Sequence, residues 1–357
     1  MKLRWVMASW VVGLWALCTV WLRAGEPPEQ SRWLILHADD AGMCHSANMG
    51  TIKAMEDGIV SSASIMVPCP WFVEFAEYAR AHPEGDYGIH LTLNCEWKRY
   101  RWGPVAPQDK VPSLVDEQGY LWKSVRQVAK HARVEEVGIE LRAQIDRARQ
   151  FGIPLSHLDT HMGALVSRPD LLELYVRLGI QYDLPVLIIR RATGPAAREY
   201  PVLAERGAAL VKLLEQHGLP VLDNLVQFYG GEGYVERRKT YLQALAGLPP
   251  GVSQLIVHCG YDNQELRAIT ESAARRDADR RIFTDPKVAA EIERMGITII
   301  NWKKFRQLAS LRAAQRRAAG PRPLRDEWVA AGSLGSANEG TQRTPGSRPS
   351  ARIPVAW

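Results

Sequence analysis

"LILHADDAG", residues 34–42, sets a histidine and two adjacent aspartates directly after a short apolar run. Like charges repel, and solvated loops elsewhere in the chain could take them more cheaply. One reading is a surface turn. The other is a metal site at the mouth of a parallel sheet, since ligands in open α/β sheets gather at the carboxyl ends of buried strands. The second reading requires more strands of the same kind, each ending in a ligand-forming side chain.

Such strands recur. "WLILH" (33–37), "IVSSASIMV" (59–67), "YGIHLTL" (87–93), "LSHLD" (155–159), "VLII" (186–189), "SQLIVH" (253–258) and "ITIIN" (297–301) are short, rich in β-branched residues and bounded by Gly, Pro or Asp. Helix-patterned segments separate them. "SANMGTIKAMEDG" (46–58) offers Ser46 as a cap and Gly58 as a stop. "RVEEVGIELRAQIDRARQFG" (133–152) lines Val137, Leu141, Ile145 and Ala148 along one face. "DPKVAAEIERMG" (285–296) opens on Asp-Pro and closes on Gly296. Strand then helix, repeated about seven times, predicts an α/β fold with a parallel sheet, either open and doubly wound or closed as a (β/α) barrel. The first strand is not followed by GxGxxG, which disfavours a dinucleotide-binding version. Residues 94–125 form an insertion too long for a bare connector, and such loops usually serve as lids or binding walls.

The polar groups fall where the metal reading needs them. Asp39 and Asp40 close the first strand, and His90 lies in the third. "HLDTH" brings His157, Asp159 and His161 to the end of the fourth, and His258 closes "LIVHCG". Any one of these alone is an ordinary core histidine or turn residue. Four separate strands delivering ionisable groups to one rim is harder to explain by packing. Carboxylate and imidazole together suit Zn²⁺ and other first-row divalent ions, and Mg²⁺ less naturally. With three protein ligands, open positions remain for water and substrate. The doubled Asp then has a reason: one carboxylate binds the ion and its neighbour accepts a proton.

Composition bounds the remaining possibilities. The 357 residues carry a formal charge of +6, with 46% hydrophobic and 24% charged residues, as in an ordinary globular protein. No basic stripe interleaved with aromatics appears in the folded part, so nucleic acid is not expected as a partner. Residues 1–24 read as a leader. Lys2 and Arg4 precede the apolar stretch 5–22, and Ala24 offers a cleavage point. The stretch is also long enough to span a bilayer as an uncleaved anchor. Cys18 matches a lipidation box poorly because Leu17 precedes it. Each version places the remainder outside the cytoplasm, with membrane contact only through this segment. Cys44, Cys69, Cys95 and Cys259 form no CxxC pair, which excludes a zinc ribbon and leaves their redox state open. After Phe305 the chain turns to Arg, Ala, Gly, Ser and Pro, and 311–357 reads as a flexible basic tail. The oligomeric state stays open, a homodimer included.

Five motifs in order, "HADDAG", "GIHLTL", "HLDTH", "LIVHCGYDNQEL" and "FTDPKVAAEIERMGITII", resemble the YdjC-like carbohydrate deacetylases, a group that includes chitooligosaccharide deacetylases and hopanoid-biosynthesis relatives. The likeness runs from about Trp33 to Trp302, and the domain is taken as 33–303. It implies an irregular (β/α) barrel of about seven parallel strands. It also implies a divalent metal ion and removal of acetyl groups from N-acetylated sugars. Carried onto this chain, His90, His161 and Asp40 become metal ligands, Asp39 the general base and His258 the general acid. The reverse assignment of Asp39 and Asp40 stays open. Two stretches depart from the family pattern: "HMGAL" (161–165), where a histidine-rich run is common, and "HCGY" (258–261), where Pro-Gly is usual. In the loop after His90, Trp97, Tyr100 and Trp102 offer flat faces for a sugar, or else anchor the loop to the barrel. Asp159 is grouped with Trp97 and Trp102 as a substrate contact, orienting His157 being its other reading. Competing classes are a phosphoesterase or O-esterase built on the same ligands, and a non-catalytic glycan-binding protein.

Overall fold

Every residue of the first strand from Leu34 to Ala41 is buried, because this strand lies in the middle of the sheet with both faces covered. In the computed structural model, which describes residues 31–318 apart from 193–196, 199 and 232, it forms β1 (Arg32–Ala41). The other strands are β2 (Ser62–Ile65), β3 (Tyr87–Leu91), β4 (Leu155–Thr160), β5 (Asn224–Val226), β6 (Gly251–Val257) and β7 (Ile297–Ile300). All pair in parallel, in the order β4-β3-β2-β1-β6-β5. β1 is long enough to share one of its edges. Its first half, Arg32–Ile35, pairs with β7, and its second half pairs with β2 from His37↔Ser62 onward. The sheet curls into a half-barrel. Residues 186–190 span its open side through two isolated parallel bridges, Leu158↔Val186 and Ile189↔Leu222.

Helices surround the sheet: α1 (His45–Glu56), α2 (Phe72–Ala81), α3 (Val125–His131), α4 (Val134–Gln150), α5 (Pro169–Tyr182), α6 (Pro201–Gln216), α7 (Tyr234–Ala246), α8 (Gln264–Ile269), α9 (Ala273–Phe283), α10 (Pro286–Arg294) and α11 (Trp302–Ala318). The three helices expected from the sequence appear as α1, α4 and α10. At α10 the Asp285 side chain accepts the Lys287 N–H, as the Asp-Pro start implies. At α1 the expected cap is corrected. Cys44 precedes the helix, and Ser46 lies in the first turn with its hydroxyl bonded to Asn263 and Glu265.

Three further differences have physical causes. "VLII" is not a regular strand, since only isolated bridges hold it. β5 went unread because three half-buried residues carry no period. The tail begins later than expected: α11 runs to Ala318, with Trp302 and Phe305 in the core and the Trp302 indole N–H donating to Gln254 Oε1 at 3.0 Å. Residues 1–24 and the rest of the expected tail, from 319, lie outside the described residues. Cys44, Cys69, Cys95 and Cys259 are all buried thiols without a disulfide. Among the described residues no helix is long and apolar enough to cross a membrane. The 94–125 insertion is pinned to the barrel by two buried acids of α4. Glu140 accepts the backbone N–H of Val105 and Ala106 at 2.9 and 2.8 Å, and Glu136 accepts that of Ser113 at 2.6 Å.

Candidate metal centre

Consecutive residues of a regular strand point to opposite faces, so Asp39 and Asp40 could not both look into the barrel from an undistorted β1. The register shows how they do. Ala38 pairs with Ala63 and Ala41 with Ile65, three steps on β1 against two on β2. The surplus residue makes a β-bulge, with both aspartates opposite Ser64. Asp40 takes φ +67°, a left-handed conformation that Asp tolerates better than most side chains. The bulge and this twist turn the second carboxylate round to join the first.

Asp40 Oδ1 then lies 3.5 Å from His90 Nε2 and 3.4 Å from His161 Nδ1. Among the described residues this buried oxygen has no hydrogen-bond partner. Each imidazole is held by its far nitrogen. His90 Nδ1 is 2.6 Å from Asp159 Oδ1, and His161 Nε2 is 3.0 Å from Glu96 Oε2. Carboxylates placed behind histidines in this way orient metal ligands and raise their basicity. One oxygen and two nitrogens, all within 4.8 Å of one another, therefore converge on a point that no hydrogen bond claims. The donor set fits a divalent cation. The other oxygen, Asp40 Oδ2, accepts from Arg276 Nη2 at 2.7 Å.

The charges around this point are compatible with a cation. Burial would lower the His161 pKa, but Glu96 and Asp40 outweigh it and carry it up to about 10. His90 is raised against the same burial by Asp159 and Asp39. For Asp40 burial acts upward, and Arg276 and the histidines hold the carboxyl well below the usual range. His258 differs. It follows β6 directly, with Nε2 4.0 Å from Asp40 Oδ2, and its side chain keeps 20% exposure. Burial pushes its pKa down and Asp40 recovers only part, which favours a neutral imidazole. Asp39 faces the same space. Its Oδ2 is 3.8 Å from His90 Nε2, and its Oδ1 is 3.2 Å from His37 Nε2. His37 Nε2 is also 2.9 Å from Asp159 Oδ2, and between these two acids its pKa rises, against burial, to about 9.

The five residues expected to carry chemistry, Asp39, Asp40, His90, His161 and His258, line one cavity of about 240 Å³, together with Glu96, Trp97 and Arg276. Two assignments change. Asp159 is 1% exposed, with one oxygen on His37 and the other on His90, so it holds both histidines while also bordering a second, smaller cavity beside the site. Trp102 is 3% exposed and packs edge-on against Trp97 and Tyr100, with ring centres 5.4 and 6.1 Å away, so it anchors the loop. Trp97 remains on the cavity wall. His157 does not reach the site, being fully buried and stacked on Trp302 at 4.9 Å. Glu96, Arg276 and His37 were not singled out from the sequence. His37 sits inside a motif already quoted and Glu96 inside the 94–125 insertion, whereas Arg276 lies in "AARRDADRR", which reads as a solvated helix face.

A curled parallel sheet with an Asp-His-His cluster at its mouth places the molecule among the (β/α)-barrel proteins that carry a candidate metal centre. More narrowly, the chain belongs to the YdjC-like family, whose model matches residues 33–294. A carbohydrate deacetylase of Thermus thermophilus is 35% identical over 263 residues, covering 72% of this chain and 88% of that one. Another, from Thermoanaerobacter pseudethanolicus, is 28% identical over 271 residues, covering 76% and 98%. A crystal structure from Enterococcus faecalis, of a protein assigned provisionally to cellobiose-phosphate cleavage, superposes with a TM-score of 0.65 at 28% identity, covering 77% of this chain and 99% of that one.

Proposed function

We propose that this protein is a metal-dependent carbohydrate N-deacetylase, hydrolysing the amide of N-acetylated sugars or oligosaccharides. The observation that carries the reading is the unclaimed Asp40 Oδ1 facing His90 and His161, with Asp39 and His258 flanking it. The deacetylase names of the relatives agree with it. Asp40, His90 and His161 would hold the ion. Asp40 takes the ligand role because its Oδ1 is close to both histidines, whereas Asp39 stands 3.8 Å from the nearer one. A bound divalent ion supplies a Lewis acid for the acetyl carbonyl and lowers the pKa of water. The oxygen and nitrogen donors fit Zn²⁺ better than Mg²⁺.

The protein's own groups do the rest. Asp39 takes a proton from the attacking water, whose oxygen bonds to the acetyl carbon. The C–N bond breaks as His258, having taken up a proton through the open cavity, hands it to the departing nitrogen. Acetate and a free amino sugar leave. Glu96 and Asp159 hold the two ligand imidazoles in place, and Trp97 offers a flat wall to the sugar. The test is to incubate Zn²⁺-loaded protein with a mixture of N-acetylated oligosaccharides and follow acetate release and loss of acetyl mass. Release that His258→Ala slows without loss of bound metal is the expected result. Phosphate or alcohol products from other substrates, with no acetate, would refute it.

A further inference from the structure

A second chamber opens beside the candidate metal centre. It shares Asp39 and His90 with the main cavity and runs inward under the 186–190 span, toward β5 and the start of α6. Val166, Leu187, Ile189, Leu203, Leu225 and Ile256 line it. Its volume is about 60 Å³. By this measure one water needs roughly 10–15 Å³, so the chamber takes a few heavy atoms and excludes a sugar ring. Gln227 Nε2 donates to the Tyr200 hydroxyl at 2.6 Å, so the polar tips at this wall bond to each other.

The interior of a small barrel is normally filled by side chains, and an unfilled apolar space costs stability. Here Leu187 and Leu225 remain only half-buried inside the ring, facing this space. Against the wall formed by these six aliphatic side chains water finds no hydrogen bonds, while Asp159, Thr160 and Tyr229 also border the space. The apolar wall suits a small apolar group that arrives with its polar end at Asp39 and His90. An N-acylated sugar carries one such group, the alkyl part of the acyl chain, attached directly to the carbonyl under attack.

We infer that this chamber seats the acyl alkyl group and that Leu187 and Leu225 set the acyl length accepted. The inference rests on the deacetylase reading above, and it deepens that reading from "acetyl" to a measurable length limit. Seating the methyl here turns the carbonyl carbon toward Asp39 and leaves the sugar in the larger cavity, against Trp97.

The test uses two readouts on the Zn²⁺-loaded full chain. The first is binding of formate, acetate, propionate and butyrate by calorimetry, which needs no turnover. The second is kcat/KM on N-formyl, N-acetyl, N-propionyl and N-butyryl glucosamine disaccharides. Leu225→Ala should shift the propionyl-to-acetyl ratio upward by about tenfold or more in both series, the usual weight of one methylene in a fitted pocket. Leu187→Phe should shift both toward formyl. If both variants fold and change every acyl length by the same factor, the chamber does not hold the acyl group and the inference falls. If the carboxylate series shifts as expected while the unmodified protein releases no acid from any N-acyl sugar, the chamber stands and the deacetylase reading falls instead.

Discussion

Asp159 bridges two histidines with its two oxygens, one on His37 and one on His90. A carboxylate so placed acts through the ligand it holds. Asp159→Asn is therefore expected to weaken divalent-cation affinity by about 10–100-fold, with little change in KM for sugar, read by calorimetry and steady-state kinetics. A raised KM at unchanged metal affinity would restore its substrate role. His161 sets the pH dependence. With a pKa near 10 without metal, it binds a proton across the neutral range, and a cation must displace it. Affinity should therefore rise with pH, by up to about tenfold per unit for each proton displaced, and level off only in alkali. At this scale the sequence was informative about the cluster because its members lie at or next to strand ends. It was silent on Arg276, whose partner Asp40 lies 236 positions away across the fold.

At the scale of elements, the bulge in β1 and the pinned insertion shape the site. Nothing in "HADDAG" marks the bulge, since a surplus residue shows only against the partner strand. Its presence means the number of residues in this stretch matters as much as their identity. Excising one aspartate would restore even pairing with β2 and drag the start of α1 one position back, whereas Asp40→Asn keeps both the residue count and a side chain that tolerates the left-handed conformation. In the insertion, Trp102 is core to the loop. Trp102→Ala should cost about 3–5 kcal/mol of stability, seen as a lowered denaturation midpoint, while binding of sugar to the folded fraction holds. Lost affinity at unchanged stability would return Trp102 to the substrate. The alternation of strand and helix was readable because β-branched runs and capped amphipathic runs differ in period. β5 was not readable, being three residues long.

For the molecule as a whole, the C-terminal boundary carries a prediction. Trp302 and Phe305 belong to the core, although the residues after them read as tail. A chain ending at Ala318 should melt with the full-length protein and keep its acetate release. A chain ending at Asn301 loses two buried aromatics, each worth about 3–5 kcal/mol, and should fail to fold. Circular dichroism on both truncations decides the matter, and equal melting of the shorter one would remove α11 from the core. The sequence missed this boundary because an Arg- and Ala-rich helix end resembles a solvated linker in composition. The parallel sheet has one more consequence. Every strand runs toward the cavity, so Arg32 enters β1 at the far end, a full strand length from Asp40. A resin or fusion partner joined directly at residue 31 would therefore sit at the end of the barrel opposite the cavity, leaving the doorway for glycans unobstructed.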